Sequence, residues 1–213
     1  MWTLPPSDTV LHLLSFVALT AQAMTAALAA GRRSMDWAGV CMLGCITALG
    51  GGTIRDVLLG HYPLVWVQNP FYLGLTAIAA FATILIARHV HRLNYAFLVL
   101  DAIGLVVFTI AGCDVAAQVN APLPILIVAG MITGCAGGVL RDILCNDVPL
   151  LFRSELYASV SVVTGLFYVT AFGLPLNQDL WTALTFALGL TLRLLAIRYK
   201  WEMPKFVFSG DQR

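Results

Sequence analysis

Two arginine–aspartate pairs, Arg55-Asp56 and Arg141-Asp142, stand in apolar sequence, each three residues after a glycine cluster, Gly50-Gly51-Gly52 and Gly137-Gly138. In hydrocarbon a charge costs several kcal/mol unless it is paired or hydrated. Such pairs therefore suit the sealing or gating of the two ends of a water-filled path. Neighbours in a helix point in different directions, so neither arginine is expected to satisfy its own adjacent aspartate; partners are expected from other helices. Each glycine in a helix interior costs about 1 kcal/mol, which makes kinking or unwinding cheap at both clusters. Backbone carbonyls freed there, with the hydroxyls of Thr47 and Thr133, suit replacement of the water around a small cation. Glycines also serve close helix packing, but two symmetric clusters, each followed by Arg-Asp, favour the functional reading. Asp101, an acid within an apolar stretch, either attracts a cation, carries a proton, or is hydrogen-bonded to a neighbouring helix for structural reasons. Asp114 is expected at the interface, and Arg193, Arg198 and Lys200 are expected to snorkel towards headgroups.

The two sets are copies. Ile46–Trp66 and Ile132–Phe152 align without a gap at an offset of 86 residues and are identical at nine positions. By the same offset Asp101 corresponds to Ser15. Internal duplication of a glycine-broken, charge-tipped helix is a mark of transporters and channels.

The elements that hold these residues are membrane spans. The chain of 213 residues is 60% hydrophobic and 11% charged, against about 25% charged in a soluble domain. Crossing about 30 Å of hydrocarbon takes roughly 20 apolar residues. Seven segments approach that length, at about 9–30, 36–52, 70–88, 94–117, 123–140, 154–173 and 179–198. The first is read as a retained span, since no Lys or Arg precedes it. Seven crossings place eleven of the twelve Lys and Arg residues on one side, leaving Arg55 alone on the other. The positive-inside rule then puts the N-terminus outside and the C-terminus in the cytoplasm.

The expected fold is all-α and polytopic, one membrane domain over 1–213. Residues 9–92 form the first repeat and 93–175 the second. Residues 176–213 supply a seventh helix and a basic tail. Three spans per copy is an odd number, so the copies enter the membrane in opposite directions, with spans two and five facing each other. Each of these helices is expected to break past mid-membrane.

Other chemistry has no foothold. The five cysteines are odd in number and lie in apolar segments, which argues for packing rather than disulfides. There is no nucleophile–base–orienter set, no zinc signature and no strand–loop–helix around the glycines for a phosphate loop. No catalytic residue, metal, cofactor or nucleic-acid partner is expected, and the chain is read as no enzyme.

At Gly-Gly-Gly-x-x-Arg-Asp (50–56), Ala-Gly-Gly-x-x-Arg-Asp (136–142) and Asp101-Ala102-Ile103-Gly104, the chain resembles the bacterial trimeric intracellular cation channels, a family also labelled glycine transporter. The resemblance covers about residues 10–200. It implies a homotrimer with one pore per protomer, and permeation of potassium and sodium along kinked second and fifth spans. It carries the family motif onto Gly50, Gly51, Gly52, Arg55, Asp56, Gly137, Gly138, Arg141 and Asp142. Ala136 departs from the motif and implies a less kinked fifth span. The basic-acidic segment of the animal members is absent, so phosphoinositide binding is not implied. The expected function is a monovalent cation channel of a bacterial inner membrane, in contact with its lipids; the alternative is a secondary transporter of a small amino acid such as glycine.

Overall fold

A computed structural model describes residues 9–87, 93–153, 156–170, 172 and 177–201. All regular structure among them is helical: α1 (Thr9–Arg32), α2 (Trp37–Leu59), α3 (Val65–Gln68), α4 (Phe71–Ala87), α5 (Leu93–Gln118), α6 (Leu123–Leu144), α7 (Leu150–Arg153), α8 (Tyr157–Val169) and α9 (Gln178–Tyr199). Five of these, α1, α2, α5, α6 and α9, are long and apolar enough to cross a membrane; α4 and α8 are apolar but shorter, at 17 and 13 residues. The four-residue helices α3 and α7 were not expected. They fall where the two copies read Pro63-Leu64 and Pro149-Leu150, just beyond the charged motifs.

Local sequence sets the helix ends. Asp36 caps α2, its Oδ1 accepting from Gly39 N at 2.7 Å, and Gly60 closes the same helix with φ 65°, a left-handed turn that glycine takes without strain. Pro122 stands immediately before α6, where a missing N–H is harmless. Asn177 caps α9 by accepting from Leu180 N at 3.1 Å. Within the bundle, threonine hydroxyls donate back to the carbonyl four residues earlier, as Thr109 does to Leu105 O at 2.7 Å and Thr164 to Val160 O at 2.7 Å. This satisfies polar atoms where no water can.

The centre of the bundle is α5, whose Leu105, Val106, Val107 and Ile110 are fully buried. Around it pack α1, α6, α8 and α9, with α2 packed against α1 and α6, and α4 against α1 and α2. Large apolar side chains such as Phe71, Ile78 and Met42 point outwards and are exposed, as the lipid-facing surface of a membrane protein requires. The start of α1 lies by the start of α9, where Val10 N donates to Asp179 Oδ1 at 3.0 Å. Its end lies by the start of α5, where Arg32 Nη2 donates to Asn94 Oδ1 at 2.9 Å. Helices α1 and α5, the first of each copy, therefore run in opposite directions.

Candidate functional site: a helix crossing with two unequal ends

The site begins where α2 crosses α6. A methyl placed on Gly51 would overlap the carbonyl oxygen of Thr133, and one on Gly137 would overlap the carbonyl oxygen of Thr47. Both the glycines and the threonines are 86 apart, so the crossing repeats itself across a local two-fold. The expectation of broken helices is corrected here. Both α2 and α6 run as unbroken α-helix through their glycine clusters, to Leu59 and Leu144. The glycines let two backbones touch, the arrangement that Cα–H to carbonyl contacts favour. Gly50 lies against the Leu140 side chain, Gly52 faces the Arg55 guanidinium, and Gly138 faces that of Arg141. Thr47 and Thr133 are buried; Thr133 Oγ1 returns to Ala129 O at 2.6 Å, whereas Thr47 Oγ1 has no hydrogen-bond partner among the described residues.

Beyond the crossing, each arginine meets its own aspartate, contrary to expectation. Arg55 Nε and Nη2 donate to Asp56 Oδ1 at 2.9 and 2.7 Å, and Arg141 Nε donates to Asp142 Oδ1 at 2.8 Å. Consecutive Cβ atoms do diverge, but a buried guanidinium on a three-carbon stem folds back along the helix when no water competes for it. The second carboxylate oxygen has a separate task. Asp56 Oδ2 accepts from Val65 N at 3.4 Å, and Asp142 Oδ2 from Leu150 N at 2.9 Å. Val65 and Leu150 are the first residues of α3 and α7, so each acid caps the short helix that follows.

The two ends then part company. At the Arg55 end a cavity of about 260 Å³ opens, with His12, Asp114, Gln118, Gly52, Phe108 and Thr133 in its lining. Ser15 and Ala111 also line it. At the Arg141 end their counterparts by the 86-residue offset are Asp101 and Thr25, and these fill the space. Arg141 Nη1 donates to Asp101 Oδ1 at 2.7 Å and to Thr25 Oγ1 at 2.9 Å, and its guanidinium lies 4.5 Å from the Phe97 ring centroid. Arg32 stands over the same ring at 5.1 Å. Asp101 is thus committed to an ion pair, the structural alternative among the three that its position allowed. Three polar atoms here lack a partner among the described residues: Asp101 Oδ2, Arg141 Nη2 and Tyr157 Oη. They gather above Gly138, where a methyl would stand 3.3 Å from Tyr157 Oη and 3.6 Å from Arg141 Nη2.

One further expectation is corrected. Arg193 does not snorkel: it is fully buried, with its guanidinium 4.7 Å from the Tyr157 ring centroid. Asp114, expected at the interface, lies four residues before the end of α5 and in the cavity wall, where it accepts from Gln118 Nε2 at 2.8 Å and Tyr168 Oη at 3.5 Å. Sequence reasoning gave no role to Thr25, Phe97 or Tyr157. None carries a charge, and only the folded bundle brings them to Arg141.

A family model described as Glycine transporter matches the chain over residues 12–88 and 98–172, two stretches whose starts are again 86 apart, and the chain belongs to that family. It is 38% identical over 203 residues to a UPF0126 membrane protein of Vibrio cholerae, covering 94% of this chain and 84% of that one. It is 36% identical over 208 residues to the UPF0126 inner membrane protein YadS of Escherichia coli, covering 96% and 100%. Among solved structures it is similar to the trimeric intracellular cation (TRIC) channel orthologue from Rhodobacter sphaeroides, with TM-score 0.86 and 33% identity over 90% of this chain and 99% of that one. These solved neighbours are ion channels rather than enzymes.

Proposed function

We propose that the chain is a passive monovalent cation channel, permeable to potassium and sodium, in a bacterial inner membrane. The observation that carries this reading is a half-open path. A cavity descends from the Arg55 end to Thr133 at the α2–α6 crossing, and beyond the crossing the Arg141–Asp101–Thr25 set closes the other end. On this reading the closed end is the gate of a resting channel, and release of Arg141 with separation of α2 from α6 would connect the two sides. In this reading residues 9–92 and 93–175 are inverted repeats of three spans each, and α9 is the seventh span. Thr47, Thr133 and the two glycine clusters line the conducting form, and Arg55, Asp56, Arg141 and Asp142 seal its ends. The Arg55 end faces outwards with the N-terminus, and the C-terminus is on the cytoplasmic side, with Arg198 and Lys200 towards anionic headgroups. Likeness to a trimeric channel supports a homotrimer with one path per protomer.

A second reading, a carrier of glycine, has one observation in its favour besides the family's description: the cavity holds both Arg55 and Asp114, opposite charges for a zwitterion. Planar bilayers under a potassium gradient, beside liposome uptake of labelled glycine, separate the two. Unitary currents reversing near the potassium equilibrium potential support the channel. Saturable glycine accumulation without such currents reverses the order.

A further inference from the structure

The cavity at the Arg55 end carries an unbalanced charge. Arg55 is neutralised in place by Asp56, with two hydrogen bonds to one oxygen. Asp114 has only the neutral donors Gln118 and Tyr168, and forms no ion pair among the described residues. Arg55 and Asp56 cancel, so among the Asp, Glu, Lys and Arg side chains of the cavity's lining Asp114 is the one left without a counter-charge. The acid does not descend from the repeat, because its counterpart by the 86-residue offset is Leu28. It belongs to this end alone.

The space is also far larger than an alkali ion needs. Its volume of about 260 Å³ is close to the lower bound of small-molecule sites, and Trp66, Tyr72 and Phe108 stand in its lining. One unpaired carboxylate among aromatic side chains is the chemistry that holds organic ammonium ions: the acid supplies the counter-charge, and the rings supply polarisable apolar surface. We propose that this cavity is a binding site for a small organic monocation of the alkylammonium class, anchored by Asp114. A zwitterion is the poorer ligand, because the guanidinium that its carboxylate would need is already held by Asp56. Binding does not depend on the conduction reading, although inhibition of flux by the bound cation does.

The test uses the full chain purified in detergent and tetraethylammonium chloride as the probe, with binding read by calorimetry. Saturable binding is expected, weakened about ten-fold or more by Asp114→Asn and retained by Asp114→Glu, with glycine at the same concentration giving no heat. No saturable binding by the wild type, or equal affinity in a folded Asp114→Asn protein, overturns the proposal. If Asp114→Asn does not fold, Trp66→Leu takes its place: it keeps the charge and removes aromatic surface, and unchanged affinity there is equally fatal. Potassium flux is measured alongside. Inhibition from the Arg55 side supports both readings, whereas binding without inhibition upholds the site and removes the cavity from the conducting path.

Discussion

Arg141 and Asp101 form a 2.7 Å ion pair whose two side chains have no solvent-accessible surface. Loss of Asp101 breaks this buried pair but leaves Arg141 with Asp142 at 2.8 Å, so the cost falls at the low end of the range for a broken buried pair, about 3 kcal/mol. Asp101→Ala is therefore expected to lower stability by that amount in a denaturant titration of the detergent-solubilised protein, and to raise potassium leak in liposomes. Ser15→Ala, at the corresponding position of the open end, is expected to change stability by less than about 1 kcal/mol. Equal effects at the two positions would contradict the asymmetry described above.

Gly51 and Gly137 are contact points rather than hinges in this state. An alanine at either meets a carbonyl oxygen on the facing backbone, so the helices must separate, at about 1–3 kcal/mol. Gly74, in the first turn of α4, has no atom within 4 Å of an added methyl; there alanine is expected to stabilise by up to about 1 kcal/mol through helix propensity. Thermal melts of Gly51→Ala and Gly74→Ala should shift in opposite directions.

The capping role of Asp142 is open to direct observation. Leu150 N donates to Asp142 Oδ2 at 2.9 Å in a buried setting. In Asp142→Ala the amides of residues 150–153 should exchange with deuterium at least several-fold faster, while those in the middle of α5 stay protected. Unchanged exchange at Leu150 would show that α7 is held by packing alone.

Arg193 should behave as an interior residue. Its guanidinium lies against the Tyr157 ring, a stacked arrangement that lysine does not reproduce. Arg193→Lys is expected to cost about 1–2 kcal/mol in the same titration. A headgroup-facing arginine would tolerate the change with almost none.

Hydropathy and the 86-residue offset were sufficient to place the long helices and both charged motifs, because greasy length and repetition are written directly in the residue order. What they left open was geometry across helices. The glycine clusters read as hinges in preference to contacts until α6 is seen against Gly51. The pairing of Arg55 with Asp56 was missed because helical periodicity fixes where Cβ points, not where a long buried side chain ends. Asp114 looked like an edge residue from its distance along α5; only the cavity beside α1 gives it a wall to occupy. Nothing in the run Pro149-Leu150-Leu151-Phe152-Arg153 announces a helix of four residues, since its first amide is satisfied by an acid eight positions earlier.

The double duty of Asp56 and Asp142 makes each corner of the bundle a mechanical linkage. One oxygen grips the arginine of the transmembrane helix and the other grips the opening turn of the helix that follows. An arginine cannot swing away without either letting go of its aspartate or hauling the next helix with it. On the channel reading, any motion of Arg141 would be geared through Asp142 to the short helix Leu150–Arg153, a lever arm on the bundle's rim.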